Sequence, residues 1–175
     1  METIRYVVGD ATHPEGPGRH LIVHVCNDVG TWGAGFTAAL SQRWRGPEQE
    51  YRKRYVLGGA RLGMVQFVEV APTIAVINMV AQHGLPSPGA PPPIRYDALA
   101  LCLGSVQALT VFCSEEGQKN PEDRNLVTVH MPRIGCGLAG GKWDEVEPII
   151  LAELVAHGVP VTVYDLSPGG GSSPF

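Results

Sequence analysis

Two glycine-rich segments hold the residues best suited to chemistry. The first is His24-Val-Cys-Asn-Asp-Val-Gly-Thr-Trp-Gly-Ala-Gly-Phe-Thr-Ala-Ala-Leu40. A strand delivers Asn27 and Asp28 to its C-terminal edge, three glycines allow tight turning or close approach to a ligand, and a helix starts nearby. Amides exposed at such a helix start receive anions, diphosphate among them. The plainer reading is that Gly30, Gly33 and Gly35 only permit the turn. The second segment, Gly135-Cys-Gly-Leu-Ala-Gly-Gly141, follows the apolar run Leu126–His130 and precedes a helix from Trp143. Two glycine loops at the ends of buried strands suit opposite sides of one phosphate-bearing ligand.

Neither segment has the order G-x-x-x-x-G-K-S/T of a nucleoside-triphosphate loop. The second satisfies G-x-G-x-x-G but sits too late in the chain for a dinucleotide fold. It therefore argues for phosphate-compatible backbone and not for nicotinamide redox chemistry. There is no G-x-S-x-G nucleophile elbow, and no local histidine partner makes Cys136 a thiol nucleophile.

Single residues are more ambiguous. Asp10, after a buried strand at a glycine turn, suits an adenine amino group or a local turn cap equally well. Tyr164, at the end of the last strand, suits base stacking or core packing. Trp32 lies between loop glycines, where an indole covers a sugar or anchors the loop. Asp97, Asp144 and Glu145 near helix starts are accounted for by terminal electrostatics. His24 and His130 read first as structural strand residues.

The elements that position these groups follow from pattern. Strands are expected over Thr3–Val8, His20–Val25, Met64–Val70, Thr73–Met79, Leu126–His130 and Val159–Tyr164, in apolar and branched runs bounded by turn residues. Helices are expected through Leu40 to Trp44, from Pro47 to Gly58, over Ile94–Cys113 and over Trp143–Ala156. His83 to Pro93 is too proline-rich for a helix and reads as a stiff surface loop or pocket flap. Strands alternating with helices, interrupted by one hairpin, imply a mixed sheet between helical layers. Residues 1–166 form one domain on this reading, and the Gly/Ser/Pro-rich tail from Ser167 to Phe175 is expected to be mobile.

The 175 residues suffice for one core without disulfides. A formal net charge of -4 gives no general attraction to nucleic acid or anionic lipid, although a local basic pocket is compatible with it. Cys26, Cys102, Cys113 and Cys136 lack zinc-ligand spacing, so free thiols and no metal are expected. No export signal is legible, and cytoplasmic residence is the expectation.

Taken together, the paired loops resemble the macrodomain family. The similarity runs from Gly9-Asp-Ala-Thr12 to the last strand and is strongest in His24–Leu40 and Met131-Pro-Arg-Ile-Gly-Cys-Gly-Leu-Ala-Gly-Gly-Lys-Trp143. It looks most like the branch of terminal ADP-ribose protein glycohydrolases and yeast-type ADP-ribose-1″-phosphate phosphatases. The resemblance implies a three-layer α/β/α fold with a central mixed β-sheet. It implies Asp10 and Ala11 at the adenine, with Tyr164 bounding that end. Asn27, Trp32, Gly33, Ala34, Gly35 and Phe36 would surround the distal ribose and diphosphate, and Ile134, Gly135, Cys136, Gly137 and Leu138 would form the other wall. Asn27 would orient the ribose, with Asp28 as the water-orienting group. The glycohydrolase branch uses a lysine near the end of the fourth strand and an aspartate in the second loop. Here the strand reads Ile77-Asn-Met-Val-Ala81 and the loop position is Ala139. The implied partner is ADP-ribose or an ADP-ribosylated protein, bound by a monomer without cofactor, membrane or specific nucleic-acid partner. Hydrolysis of protein conjugates, dephosphorylation of ADP-ribose-1″-phosphate, recognition without chemistry and an unrelated nucleotide site remain the open functions.

Overall fold

The computed structural model describes residues 3–117 and 126–167. Among these, six strands form one sheet: β1 (Arg5–Val8), β2 (Arg19–Asn27), β3 (Val65–Ala71), β4 (Ile74–Gln82), β5 (Val127–Met131) and β6 (Val161–Asp165). Their spatial order is β1-β6-β5-β2-β4-β3. Only β3 runs antiparallel to its neighbour, so the sheet is mixed. The helices are α1 (Phe36–Arg43), α2 (Gly46–Val56), α3 (Tyr96–Gly117) and α4 (Trp143–Glu153).

The alternation of side chains along a strand builds the layers. Leu21 and Val23 of β2, with Ile77 and Met79 of β4, pack with Leu99 and Leu103 of α3 and Val146 and Ile150 of α4. The intervening Ile22, Cys26 and Val76 face the other way, onto Leu40 of α1 and Tyr51 of α2. The result is the expected three-layer α/β/α arrangement. The central β2 and β4 are buried on both faces, and this explains their nearly continuous apolar runs.

Several boundaries differ from the sequence expectation. β4 continues past Met79 to Gln82, because Gln82 pairs with Asn27, accepts the Asp28 amide at 3.0 Å and bridges to Ile94. The last helix stops at Glu153 rather than Ala156. A 3-10 turn over Val155–His157 follows and closes on Gly158 in the left-handed region. α3 extends to Gly117, beyond the expected end at Cys113. Residues 118–125, between α3 and β5, and all of the tail but Ser167 lie outside the described residues.

Candidate ligand-binding site

The C-terminal ends of β1, β2, β4, β5 and β6 surround one cavity of about 750 Å³. Asp10, Ala11, Asn27, Trp32, Ala34, Gly35, Phe36, Ile134, Gly135, Cys136, Gly137, Leu138 and Tyr164 all line it. Gly33 and Asp28 do not.

Asn27 organises the first loop. Its Oδ1 accepts the amides of Val29 and Thr31, each at 3.1 Å, and the Tyr51 hydroxyl at 2.8 Å. Its Nδ2 donates to the Thr31 carbonyl at 2.8 Å. The side chain expected to orient a ribose is thus mainly engaged in holding loop backbone. Trp32 is only 8% exposed, and its indole N–H donates to Ser41 Oγ at 2.8 Å. The ring packs between His24 and Tyr51, so it anchors the loop and lines the cavity at once. Gly35 then opens α1 at φ 60, ψ -135, a conformation an L side chain rarely adopts, and no side chain caps the helix. Among the described residues the amides of Gly35 and Phe36 have no protein acceptor.

The second loop is folded by its own backbone. The Gly141 amide donates to the Gly135 carbonyl at 2.7 Å, and a Cβ on Gly141 would stand 2.4 Å from that oxygen. Among the described residues the amides of Gly135, Gly137 and Leu138 have no protein acceptor, and all three residues line the cavity. Both loops thus carry unspent amides on residues that line the same cavity, an arrangement suited to an anion.

At the β1–β6 end, Asp10 Oδ1 accepts the Thr12 amide at 2.8 Å, and Oδ2 lies 3.1 Å from His13 Nδ1. Burial pushes the Asp10 pKa up, but the Thr12 donors and His13 outweigh it and hold the carboxyl below its ordinary value. Asp10 is therefore ionised throughout the neutral range and able to accept from an amino group. Asp10→Ala is expected to weaken binding of an adenine nucleotide about tenfold, the cost of one charge-assisted hydrogen bond, and to cost about 1 kcal/mol of stability because the Thr12 amide loses its acceptor; calorimetry beside a melting curve checks both.

The Tyr164 hydroxyl is held by a hydrogen-bonded network through His130, Thr128 and His20. The Gly16 carbonyl, an acceptor only, lies 3.2 Å from His20 Nε2, which places a proton on that nitrogen. Burial lowers the His20 pKa and lowers that of His130 to about 4, so both rings are neutral near pH 7. His20 Nδ1 lies 3.1 Å from His130 Nε2, the Thr128 hydroxyl sits 3.0 and 2.8 Å from these two nitrogens, and His130 Nδ1 hydrogen-bonds with the Tyr164 hydroxyl at 2.8 Å. His24, also fully buried and lowered to about 4, donates Nε2–H to Asn78 Oδ1 at 2.6 Å. His20 and His130 are tied into this network, and His24, bonded to Asn78, also lines the cavity. The unfolded chain binds the protons of His24 and His130 near pH 6.5 whereas the folded chain resists until about pH 4, so stability falls as pH drops through that window. A melting series from pH 7 to pH 4 should show the decline, and His130→Gln should flatten it.

The sequence did not single out the groups contributed by the flap and the rim. Leu85 and Pro86 line the cavity, and Gln82, at the end of β4, does so beside Asn27. Asp28 ties the flap down: Oδ1 accepts the Gly84 amide at 2.8 Å and Oδ2 pairs with His83 Nδ1 at 2.7 Å. Both carboxylate oxygens are thereby engaged outside the cavity lining. Ile94, where the flap meets the chain leading into α3, donates its amide to the Ala139 carbonyl and so joins the flap to the second loop. Arg133 makes two bonds to Asp165, at 2.6 and 2.9 Å, beside Tyr164. Neither residue is part of a glycine pattern, and only the folded register brings them to the rim. Ala139 is buried, and Lys142 is exposed and absent from the lining.

No family model matches the chain. A structure of a protein of unknown function from Bacteroides thetaiotaomicron is 47% identical, with a TM-score of 0.84, and covers 94% of this chain and 99% of its own. A macrodomain protein from Streptomyces coelicolor is 44% identical, with a TM-score of 0.76, and covers 93% of this chain and 98% of its own. The mouse chromodomain-helicase-DNA-binding protein 1-like is 29% identical over 93% of the chain, which spans only 18% of that protein's length. An ADP-ribose 1″-phosphate phosphatase from Candida albicans is 24% identical over 82% of the chain and 89% of its own length. With the Streptomyces macrodomain protein matched over nearly its whole length, on the same α/β/α fold, the chain belongs to the macrodomain family.

Proposed function

We propose that the chain binds ADP-ribose and releases it from modified acidic residues of proteins. The observation that carries this reading is the two sets of unspent amides, Gly35–Phe36 and Gly135–Gly137–Leu138, on a cavity also lined by an ionised Asp10 and by Tyr164, whose hydroxyl is bonded to His130. The amides receive the diphosphate, Asp10 the adenine amino group, and the distal ribose lies along the Asn27–Phe36 loop. That places the anomeric carbon near the flap.

Cleavage breaks the bond between the anomeric carbon and the carboxylate oxygen of the modified residue. The carboxylate leaves with the electron pair, water adds to the carbon, and its proton is lost to solvent. A carboxylate is a good leaving group, so the chain's contribution is placement and stabilisation of developing charge by fixed amides. Gln82 ends β4 near the point where the glycohydrolase branch carries a lysine, and a neutral amide forms no covalent sugar adduct. Ala139 supplies no carboxylate. Asp28 acts by holding the flap through Gly84 and His83.

The likeness to the Candida phosphatase supports a second reading, removal of phosphate from ADP-ribose-1″-phosphate in the same cavity. Parallel incubation with an aspartate- or glutamate-linked ADP-ribosyl protein and with ADP-ribose-1″-phosphate separates the two. Free ADP-ribose from the first alone is the expected result. Inorganic phosphate from the second alone would favour the phosphatase, and saturable binding with both substrates intact would favour a reader.

A further inference from the structure

The sequence is acidic overall, yet Arg43, Arg45, Arg52, Lys53, Arg54 and Arg61 crowd into residues 43–61, with only Glu48 and Glu50 against them. On α2 the 100° step per residue puts Arg45, Gln49, Arg52, Lys53 and Val56 on one exposed face about two to three turns long. Glu48 is spent on this surface: it accepts from Arg52 at 2.9 Å and from Ser41 at 2.8 Å. Glu50 falls on the opposite edge of the helix.

This face reaches the lip of the cavity. Arg52 Nη1 donates to the Gly30 carbonyl at 3.2 Å, and the Tyr55 ring packs so closely on Gly30 that a Cβ there would lie 2.5 Å from it. Gly30 is the neighbour of Thr31, which lines the cavity. On the reading above, this is the distal-ribose end, where the modified side chain and its flanking polypeptide emerge.

We propose that the α2 face, with Arg45 and Lys53 as cations that make no hydrogen bond or close ion pair among the described residues, receives an acidic polypeptide segment flanking the ADP-ribosylated residue. The inference rests on the proposed ADP-ribose pocket. Charge complementarity selects a polyanion, and two features favour polypeptide over nucleic acid. Val56 and Leu57, 80% and 77% exposed, end the stripe with apolar surface that suits side chains and offers a phosphate backbone nothing. Tyr55, the aromatic best placed to stack a base, is already packed on Gly30. Exposed ion pairs of this kind confer modest, salt-sensitive selectivity.

The test compares ADP-ribose joined through a hydrolysis-resistant linkage to a peptide flanked by glutamates, to the same peptide flanked by glutamines, and to an oligonucleotide. Calorimetry at low salt should give the acidic peptide an affinity about tenfold above the neutral one, shrinking to about twofold at high salt. Arg45→Gln with Lys53→Gln should erase that preference and leave the affinity for free ADP-ribose within about twofold. Equal affinity for the two peptides, or tighter binding of the oligonucleotide conjugate, overturns the proposal while free ADP-ribose still binds. Failure of free ADP-ribose itself to bind would instead remove the pocket reading, and this inference with it.

Discussion

Replacing Asn27 with aspartate is expected to leave the chain folded but lower ADP-ribose affinity by more than about a hundredfold, or roughly 3 kcal/mol. Three of the four bonds the side chain makes are accepted by Oδ1, from Val29, Thr31 and Tyr51, and a carboxylate keeps them. The fourth is lost, because a second carboxylate oxygen would face the Thr31 carbonyl where Nδ2 now donates. The new charge also stands on the loop whose Gly35 and Phe36 amides are proposed to take the diphosphate, so it acts directly against an anionic ligand. Asn27→Ala behaves differently. It leaves loop amides without acceptors and should cost about 2–3 kcal/mol of stability as well as binding. Melting curves beside calorimetry distinguish charge from collapse: if aspartate binds ADP-ribose as well as asparagine does, the diphosphate does not lie along this loop.

Asp28 gives the second large effect, about tenfold or more on turnover, without touching the cavity. Asp28→Ala removes the acceptor for the Gly84 amide and the partner of His83, releasing the flap that carries Leu85 and Pro86. Asp28→Asn keeps an oxygen for Gly84 and should retain most of the activity. A general base would show the reverse pattern, with asparagine as damaging as alanine. Burial raises the Asp28 pKa, yet the Gly84 amide and His83 together hold it below the ordinary carboxylate value. The latch is accordingly intact across the neutral range and is lost only as acid protonates the folded carboxylate, below the range where an unfolded aspartate titrates. A pH–rate profile for Asp28→Asn that keeps the wild-type shape supports the latch.

The sequence carried the layers of the fold and the two loops because these depend on local signals: alternation along strands, helical spacing, and glycines at strand ends. It did not carry what depends on register. Nothing near His130 indicates that His20, 110 positions earlier, is its partner, or that the pair orients the Tyr164 hydroxyl. Gln82 reaches the site because β4 runs three residues past its expected end, drawn on by pairing with Asn27 and Ile94. Asn27 and Asp28 were legible as polar groups at a strand end, but their bonding to Thr31 and Gly84 emerges only when the loops close. The proline-rich segment was readable as a flap from composition, whereas its attachment to both glycine loops through Asp28 and Ala139 was not.

Calorimetric titration of the wild-type chain with ADP-ribose and, in parallel, with ATP tests most directly whether the two glycine loops form the proposed ADP-ribose cradle. One saturable site for ADP-ribose is expected, with ATP at least about thirtyfold weaker, since ATP offers no distal ribose to the Asn27–Phe36 loop. Equal affinity for the two, or no saturable ADP-ribose binding, would contradict it.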